Sequence, residues 1–338
     1  MRFPFALLLL GPLALPAAAQ QPAAAPIALR PSEPGDSSPF RRLLLPTPNG
    51  VRSANGAPGA QYWQQRADYV IRATLDTAAR TVRGEETITY WNNSPDTLRF
   101  VWLQLDQNLF TDSSRGAALF SILPGSAPAA QGAPAAPAGV RLLKVAQPAV
   151  APKGKAAAVA GAELTYLVNG TVMRIDLPRP LPPKGKQQLD ISWSFPFPAE
   201  ANRMGVEDID GNPVFEVAQW YPRMAVYDDV RGWNTEQYYG RGEFYLEYGS
   251  FDVSITVPAD MLVAATGTLR NPDEVLTAAQ RARLARARSS TETVIIRGKD
   301  EIGDPASRPP TTFPTFTWHF TADSVRDFAW AAARHFVW

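Results

Sequence analysis

The chain is 338 residues long and carries 33 Lys and Arg against 32 Asp and Glu, a formal net charge of +1 at pH 7. That balance excludes bulk electrostatic attraction to nucleic acid or to an anionic membrane surface. The lack of cysteine excludes a disulfide framework, a thiol nucleophile and a lipidated cysteine, and two histidines alone, His319 and His335, leave few catalysts open.

Residues 1–19 have the layout of an export signal. Arg2 supplies the positive start, Phe5 to Leu15 the apolar run and Ala17 to Ala19 the small residues for cleavage. The run is short and is interrupted by Gly11 and Pro12, so no membrane span is expected once the signal is removed, and the mature protein is expected to be secreted or periplasmic. Residues 20–58, rich in Pro, Ala, Gly and Ser, are expected to form a mobile leader.

From residue 61 the pattern turns to period two. In the stretch DYVIRATL, Tyr69, Ile71, Ala73 and Leu75 share one face. In TVRGEETITYW, Val82, Ile88 and Tyr90 do so while Arg83, Glu85, Thr87 and Thr89 face away. LRFVWLQL, residues 98–105, is apolar on both faces and predicts an interior strand. A low-complexity surface insert is expected around 124–160. Strands resume in ELTYLV, TVMRIDL and QLDISWSF, and the segment from residue 242 holds the cleanest alternation, with Phe251, Val253, Ile255 and Val257 on one face. Residues 271–288 predict one connector helix, acidic early and basic late as the helix dipole favours. ETVIIRG and TFTWHF read as further strands. The sum is an all-β chain, a large β-sandwich of mostly antiparallel strands with one short helix.

Candidate chemistry is sparse. His319 and His335 are sixteen positions apart, so no H-E-x-x-H zinc motif exists, and each reads as a polar group on a strand or surface. No G-x-S-x-G elbow or phosphate-cradling glycine loop occurs. Glu85 and Glu86 point to opposite faces of a strand, and Glu243 and Glu247 stand roughly 13 Å apart in an extended chain, too far to act as a glycosidase pair. The remaining signal is FEVAQWYPRMAVYDDVRGWNTEQYYG, residues 215–240, in which aromatic clusters lie beside Gln219, Arg223, Asp228 and Asp229. Such a stretch either lines a binding surface or packs beneath a long loop.

Several stretches, in order, resemble the N-terminal domain of the aminopeptidase N family of zinc metallopeptidases. They are ADYVIRATLDTAARTVRGEETITYWNNSPDTLRFVWLQLDQNLF, TVMRIDLPRPLPPKGKQQLDISWSFPFP, AQWYPRMAVYDD, EFYLEYGSFDVSITVPADMLVAATGTL and WHFTADSVRDFAWAA. The resemblance spans about Tyr62 to Trp338 and implies a saddle-shaped β-sandwich, residues 59–338, that precedes a catalytic domain. In that domain G-x-M-E-N and H-E-x-x-H would hold the peptide amino terminus and the zinc. Neither motif occurs in this chain, so no cofactor, metal ligand or catalytic residue is expected here. The implied partners are a C-terminal catalytic domain and a peptide substrate. The resemblance also implies a substrate-binding role for Gln219, with Tyr221 where the family carries Glu or Gln. A phenol accepts a hydrogen bond from an ammonium but brings no negative charge at neutral pH. The other reading is a free-standing binding module for peptide or carbohydrate built on Trp220, Tyr221, Trp233, Tyr238 and Tyr239. Phe336, Val337 and Trp338 are expected to end exposed or frayed.

Overall fold

A computed structural model describes residues 48–111, 114–116, 139–149, 161–198, 203–240 and 242–338. These belong to a unit running from Leu45 to Trp338. The signal segment and most of the leader lie outside the described residues. The strands in chain order are β1 (Arg66–Asp76), β2 (Thr81–Trp91), β3 (Leu98–Gln104), β4 (Arg141–Ala146), β5 (Tyr166–Asn169), β6 (Val172–Leu181), β7 (Lys186–Pro196), β8 (Gly205–Ile209) and β9 (Asn212–Val217). There follow β10 (Arg223–Met224), β11 (Tyr227–Asp228), β12 (Gly232–Trp233), β13 (Gly249–Pro258), β14 (Leu262–Ala265), β15 (Thr268–Leu269), β16 (Thr315–Val325) and β17 (Trp330–Ala333). Two short helices, α1 (Pro272–Val275) and α2 (Ala278–Ala287), lie between β15 and β16.

A seven-stranded sheet, β15-β16-β13-β1-β2-β7-β4, is the largest layer. Its pairings are antiparallel except for β1 against β13, which run parallel. Period-two alternation sends one face of each long strand inward: Tyr69, Ile71, Ala73 and Leu75 from β1, Leu189, Ile191, Trp193 and Phe195 from β7, and Phe251, Val253, Ile255 and Val257 from β13 are all buried. Burial of each such large apolar side chain contributes about 1.5–3 kcal/mol. Two four-stranded sheets, β10-β3-β6-β5 and β14-β17-β9-β8, add Val101, Leu103, Ile175, Phe215 and Trp330 to the same core. The result is an all-β, sandwich-like fold. Gly84 in β2 is where Trp193 lies closest: a Cβ there would meet its Cζ2 at 2.4 Å, so the strand has no room for a side chain.

The links between layers are polar. The buried Asn92, just after β2, donates from Nδ2 to the carbonyls of Asp96, Leu181 and Pro182 (2.7, 3.2 and 3.1 Å) and accepts from Ser94 Oγ and Gln65 Nε2 (2.6 and 3.1 Å). One carboxamide thus ties the β2–β3 turn to the β6–β7 turn.

Several expectations are corrected. The predicted helix is two, because Thr277 interrupts it and caps α2 through a reciprocal box with Gln280. ETVIIRG is not a strand of any sheet; Ile296 and Arg297 instead bond the backbone of Trp338. That pairing also fixes the chain end. Val337 is 52% exposed, but Phe336 and Trp338 pack against the core, so the end is not frayed. Within the expected insert, residues 141–146 form β4 on the edge of the large sheet, while 117–138 and 150–160 lie outside the described residues. The end of the expected leader is ordered too, since Arg52 donates Nε and Nη2 to Asp229 (2.5 and 2.8 Å) and lies over the Tyr62 ring. Asp323 and Ser324, which in sequence read as a capped turn after the TFTWHF strand, lie within β16. Ser324 takes φ +56° inside β16, where the register against β13 slips by one residue, a β-bulge.

The core also contains a carboxyl group. Glu86 lies on the inward face of β2, 3% exposed, and neither of its side-chain oxygens has a hydrogen-bond partner among the described residues. Burial raises its pKa well above the usual carboxylate value, so the fold holds Glu86 protonated. Its folded pKa lies above its unfolded one, so the fold binds the proton more tightly. The stability is complete below the unfolded pKa and is lost as pH rises towards the folded one. Replacing Glu86 with Gln is therefore expected to widen its stability advantage over the parent as pH rises above roughly 4.3, by up to about 1.4 kcal/mol per pH unit while the folded carboxyl keeps its proton. Chemical denaturation of both proteins at pH 5, 6 and 7 measures this, and a constant difference across that range contradicts it.

Candidate functional site

The segment from Gln219 to Met224 crosses from β9 to β10, between the two four-stranded sheets. It is fixed by buried polar groups rather than by a long strand. Trp220 is fully buried; its Nε1 donates to the Phe328 carbonyl (2.9 Å), and its own carbonyl accepts from Trp193 Nε1 (3.0 Å). Tyr69 on β1 accepts the Met224 N–H on its phenol oxygen (3.0 Å) and meets the Tyr221 ring edge-on at 5.4 Å.

At its centre is Arg223, 1% exposed. Its pairing in β10 opposite Gln104 of β3 brings it beside Asp106, which immediately follows that strand. Nε and Nη2 of Arg223 donate to Oδ2 of Asp106 (3.1 and 2.6 Å), Nη1 donates to Oδ2 of Asp327 (2.7 Å), and the guanidinium carbon lies 4.3 Å from the centre of the Phe244 ring. Burial disfavours charge on each partner. For Arg223 the two carboxylates outweigh it and hold the guanidinium protonated, while burial, opposed by Arg223, raises Asp106. Tyr221, 3% exposed, donates its hydroxyl to Oδ1 of Asp327 (2.8 Å). Burial, then the Asp327 charge, pushes its pKa well above 10, so it remains a neutral donor. Asp327 is the one member of the network with appreciable solvent exposure.

Gln219 stands at the edge of this network. Its backbone takes φ +48°, a left-handed conformation that a non-glycine residue adopts at a cost of about 1 kcal/mol or more. The carbonyl is held by Gln107 Nε2 at 2.7 Å. The half-buried Gln219 carboxamide has no hydrogen-bond partner among the described residues.

The structure thus separates the residues singled out in sequence. Gln219 is left with a free amide, whereas the Tyr221 phenol is spent inside the core on Asp327. Because Trp220 and Tyr221 are both buried, the aromatic binding surface proposed to include them is not formed; Trp233, Tyr238 and Tyr239 are half-buried beside it. Asp228 accepts the N–H groups of Val230 and Arg231 (3.0 and 2.7 Å) and so serves the β11–β12 turn. Glu243 is exposed and faces Arg203 (3.5 Å), and Glu247 is half-buried. His319 bonds Asp252 across the β13–β16 pair (2.9 Å), and His335 is exposed. Among the described residues no group of three or more His, Asp or Glu could hold a metal ion. Asp106, Gln107 and Asp327 were missed. Asp106 and Gln107 follow a strongly apolar strand, the one hint that polar groups there would be buried.

No protein-family profile matches the chain, and a search of curated proteins finds no significant match. Among solved structures the chain is similar to an M1 zinc metallopeptidase mutant from Deinococcus radiodurans bound to a Tyr-Ser-Ala substrate, with TM-score 0.40 and 14% identity over 80% of this chain and 42% of that one. It is similar also to the M1 zinc metallopeptidase from Deinococcus radiodurans (TM-score 0.39, 13% identity, 80% and 41% covered). A two-domain M1 zinc metallopeptidase mutant bound to L-tryptophan gives TM-score 0.38 and 12% identity, with 82% and 44% covered. The chain spans about two fifths of the length of these proteins.

Tyr221→Phe removes one donor from Asp327 while keeping the ring. It is expected to lower the unfolding free energy by about 1–2 kcal/mol. Urea unfolding checks this; an unchanged midpoint contradicts a structural role for the hydroxyl.

Proposed function

We propose that this chain is the N-terminal β-domain of a secreted or periplasmic zinc metallopeptidase of the aminopeptidase N type. Residues 1–19 direct export, and residues 59–338 support a catalytic domain that carries the zinc. The sequence stretches quoted above, in family order, support the family reading. The observation that carries the functional role is Gln219: a strained backbone, a carbonyl clamped by Gln107 and a half-buried amide without a hydrogen-bond partner among the described residues. Left-handed backbone at a non-glycine residue persists where the surroundings over-determine it, and such positions cluster at binding sites. Here Gln219 Oε1 would accept from the ammonium of a peptide amino terminus.

Tyr221 acts behind Gln219 as a positioning residue, through Asp327 and Arg223. It contributes no contact of its own to the substrate, so the charge recognition that an acidic side chain would give must come from the catalytic domain. In this reading the chain alone binds no catalytic zinc and hydrolyses nothing, because its residues include neither G-x-M-E-N nor H-E-x-x-H.

The test has two parts. The coding sequence beyond residue 338 is expected to continue in frame into G-x-M-E-N and H-E-x-x-H. In the extended protein, Gln219→Ala is expected to raise KM for aminoacyl substrates roughly tenfold or more with kcat little changed, the signature of lost ground-state binding. Chelator-sensitive peptide hydrolysis by residues 1–338 alone, or an unchanged KM in the variant, would overturn the assignment.

A further inference from the structure

A cavity of about 230 Å³ lies on another side of the large sheet, where α1, α2 and residues 297–308 meet β14 and the start of β16. Its apolar wall includes Met261, Leu276, Phe316 and Trp318. Its polar wall contains a guanidinium with no direct counter-ion among the described residues. Arg297 is 6% exposed and borders the cavity, yet its side chain has no hydrogen bond or ion pair among the described residues, and its Nε is fully buried without a partner. The acids that act on it are committed elsewhere. Glu301 accepts both Nη1 and Nη2 of Arg283 (2.6 and 2.8 Å), and Asp260 accepts Nε of Arg334 (2.6 Å). Asp304, also on the cavity wall, caps the N–H of Ala306 (2.8 Å). Trp318 also lines the cavity; it is 2% exposed, and its buried indole N–H has no partner among the described residues.

An unpaired buried guanidinium is expensive, and its desolvation is recovered only when an anion with matching acceptors arrives. Of the three arginines on the cavity wall, Arg334 is paired with Asp260 and Arg308 is half-buried, so Arg297 is the buried one whose planar fork can match a carboxylate, while the side formed by Met261, Leu276 and Phe316 matches an apolar body. We propose that this cavity binds a small organic monocarboxylate, with its carboxylate on Arg297 and its body against Met261, Leu276, Phe316 and Trp318. The site is separate from Gln219, and the proposal stands whether or not the peptidase reading holds.

Isothermal titration of the full chain with carboxylates from acetate to phenylacetate, with 2-phenylethanol as the uncharged analogue and with inorganic phosphate, tests this. Phenylacetate is expected to bind saturably, at least tenfold tighter than acetate or 2-phenylethanol. Arg297→Met should weaken it tenfold or more. Arg297→Met without ligand should unfold at or above the parental temperature, because it removes an unpaired buried charge. Failure of every carboxylate to bind, equal binding of 2-phenylethanol, binding of phosphate alone, or full retention of phenylacetate binding in a folded Arg297→Met would each overturn it.

Discussion

The charge of Arg223 is satisfied by carboxylates more than a hundred residues away in the chain, Asp106 on one side and Asp327 on the other. Its burial is tolerable only while both are in place, so this one side chain couples the end of β3 to the β16–β17 connection. The segment between β9 and β10 is thereby fixed with hardly any strand pairing of its own, and the left-handed backbone at Gln219 is carried on that support. Remove the cation and two buried or part-buried acids lose their partner at once, which is why the network acts as a unit.

Glu86, Arg223 and Arg297 resolve the same problem in three ways. Glu86 sheds its charge by keeping a proton, Arg223 keeps its charge by pairing, and Arg297 keeps its charge with no ion pair among the described residues. A carboxyl can follow the first route because its ordinary pKa lies only a few units below neutral, whereas a guanidinium cannot. The unpaired arginine is therefore the one that implies something from outside, and the unpaired carboxyl is not.

Much of the fold was legible because strands buried on one face write their alternation into the sequence: β1, β2 and β13 follow the predicted faces residue by residue. What failed did so for local reasons. The β8–β9 hairpin turns on Asp210 and Gly211, both at positive φ, and that Asp-Gly pair was readable but flanked by strands too exposed to alternate clearly. β4 was hidden by low-complexity neighbours, and the break at Thr277 by a helix pattern that continues across it. At the candidate site Gln219 and Arg223 could be singled out by resemblance, but Asp106 becomes a partner only through the meeting of β3 with β10, and Asp327 only through the approach of the β16–β17 connection. No spacing along the chain encodes that.

A double-mutant cycle on Arg223 and Asp106, read as unfolding free energy, tests most directly whether the network acts as a unit. Arg223→Met and Asp106→Leu are each expected to cost about 3–5 kcal/mol, since each strands a buried charge, while the double variant should cost less than the sum by about 2 kcal/mol or more. Single costs that add to within about 0.5 kcal/mol would contradict it.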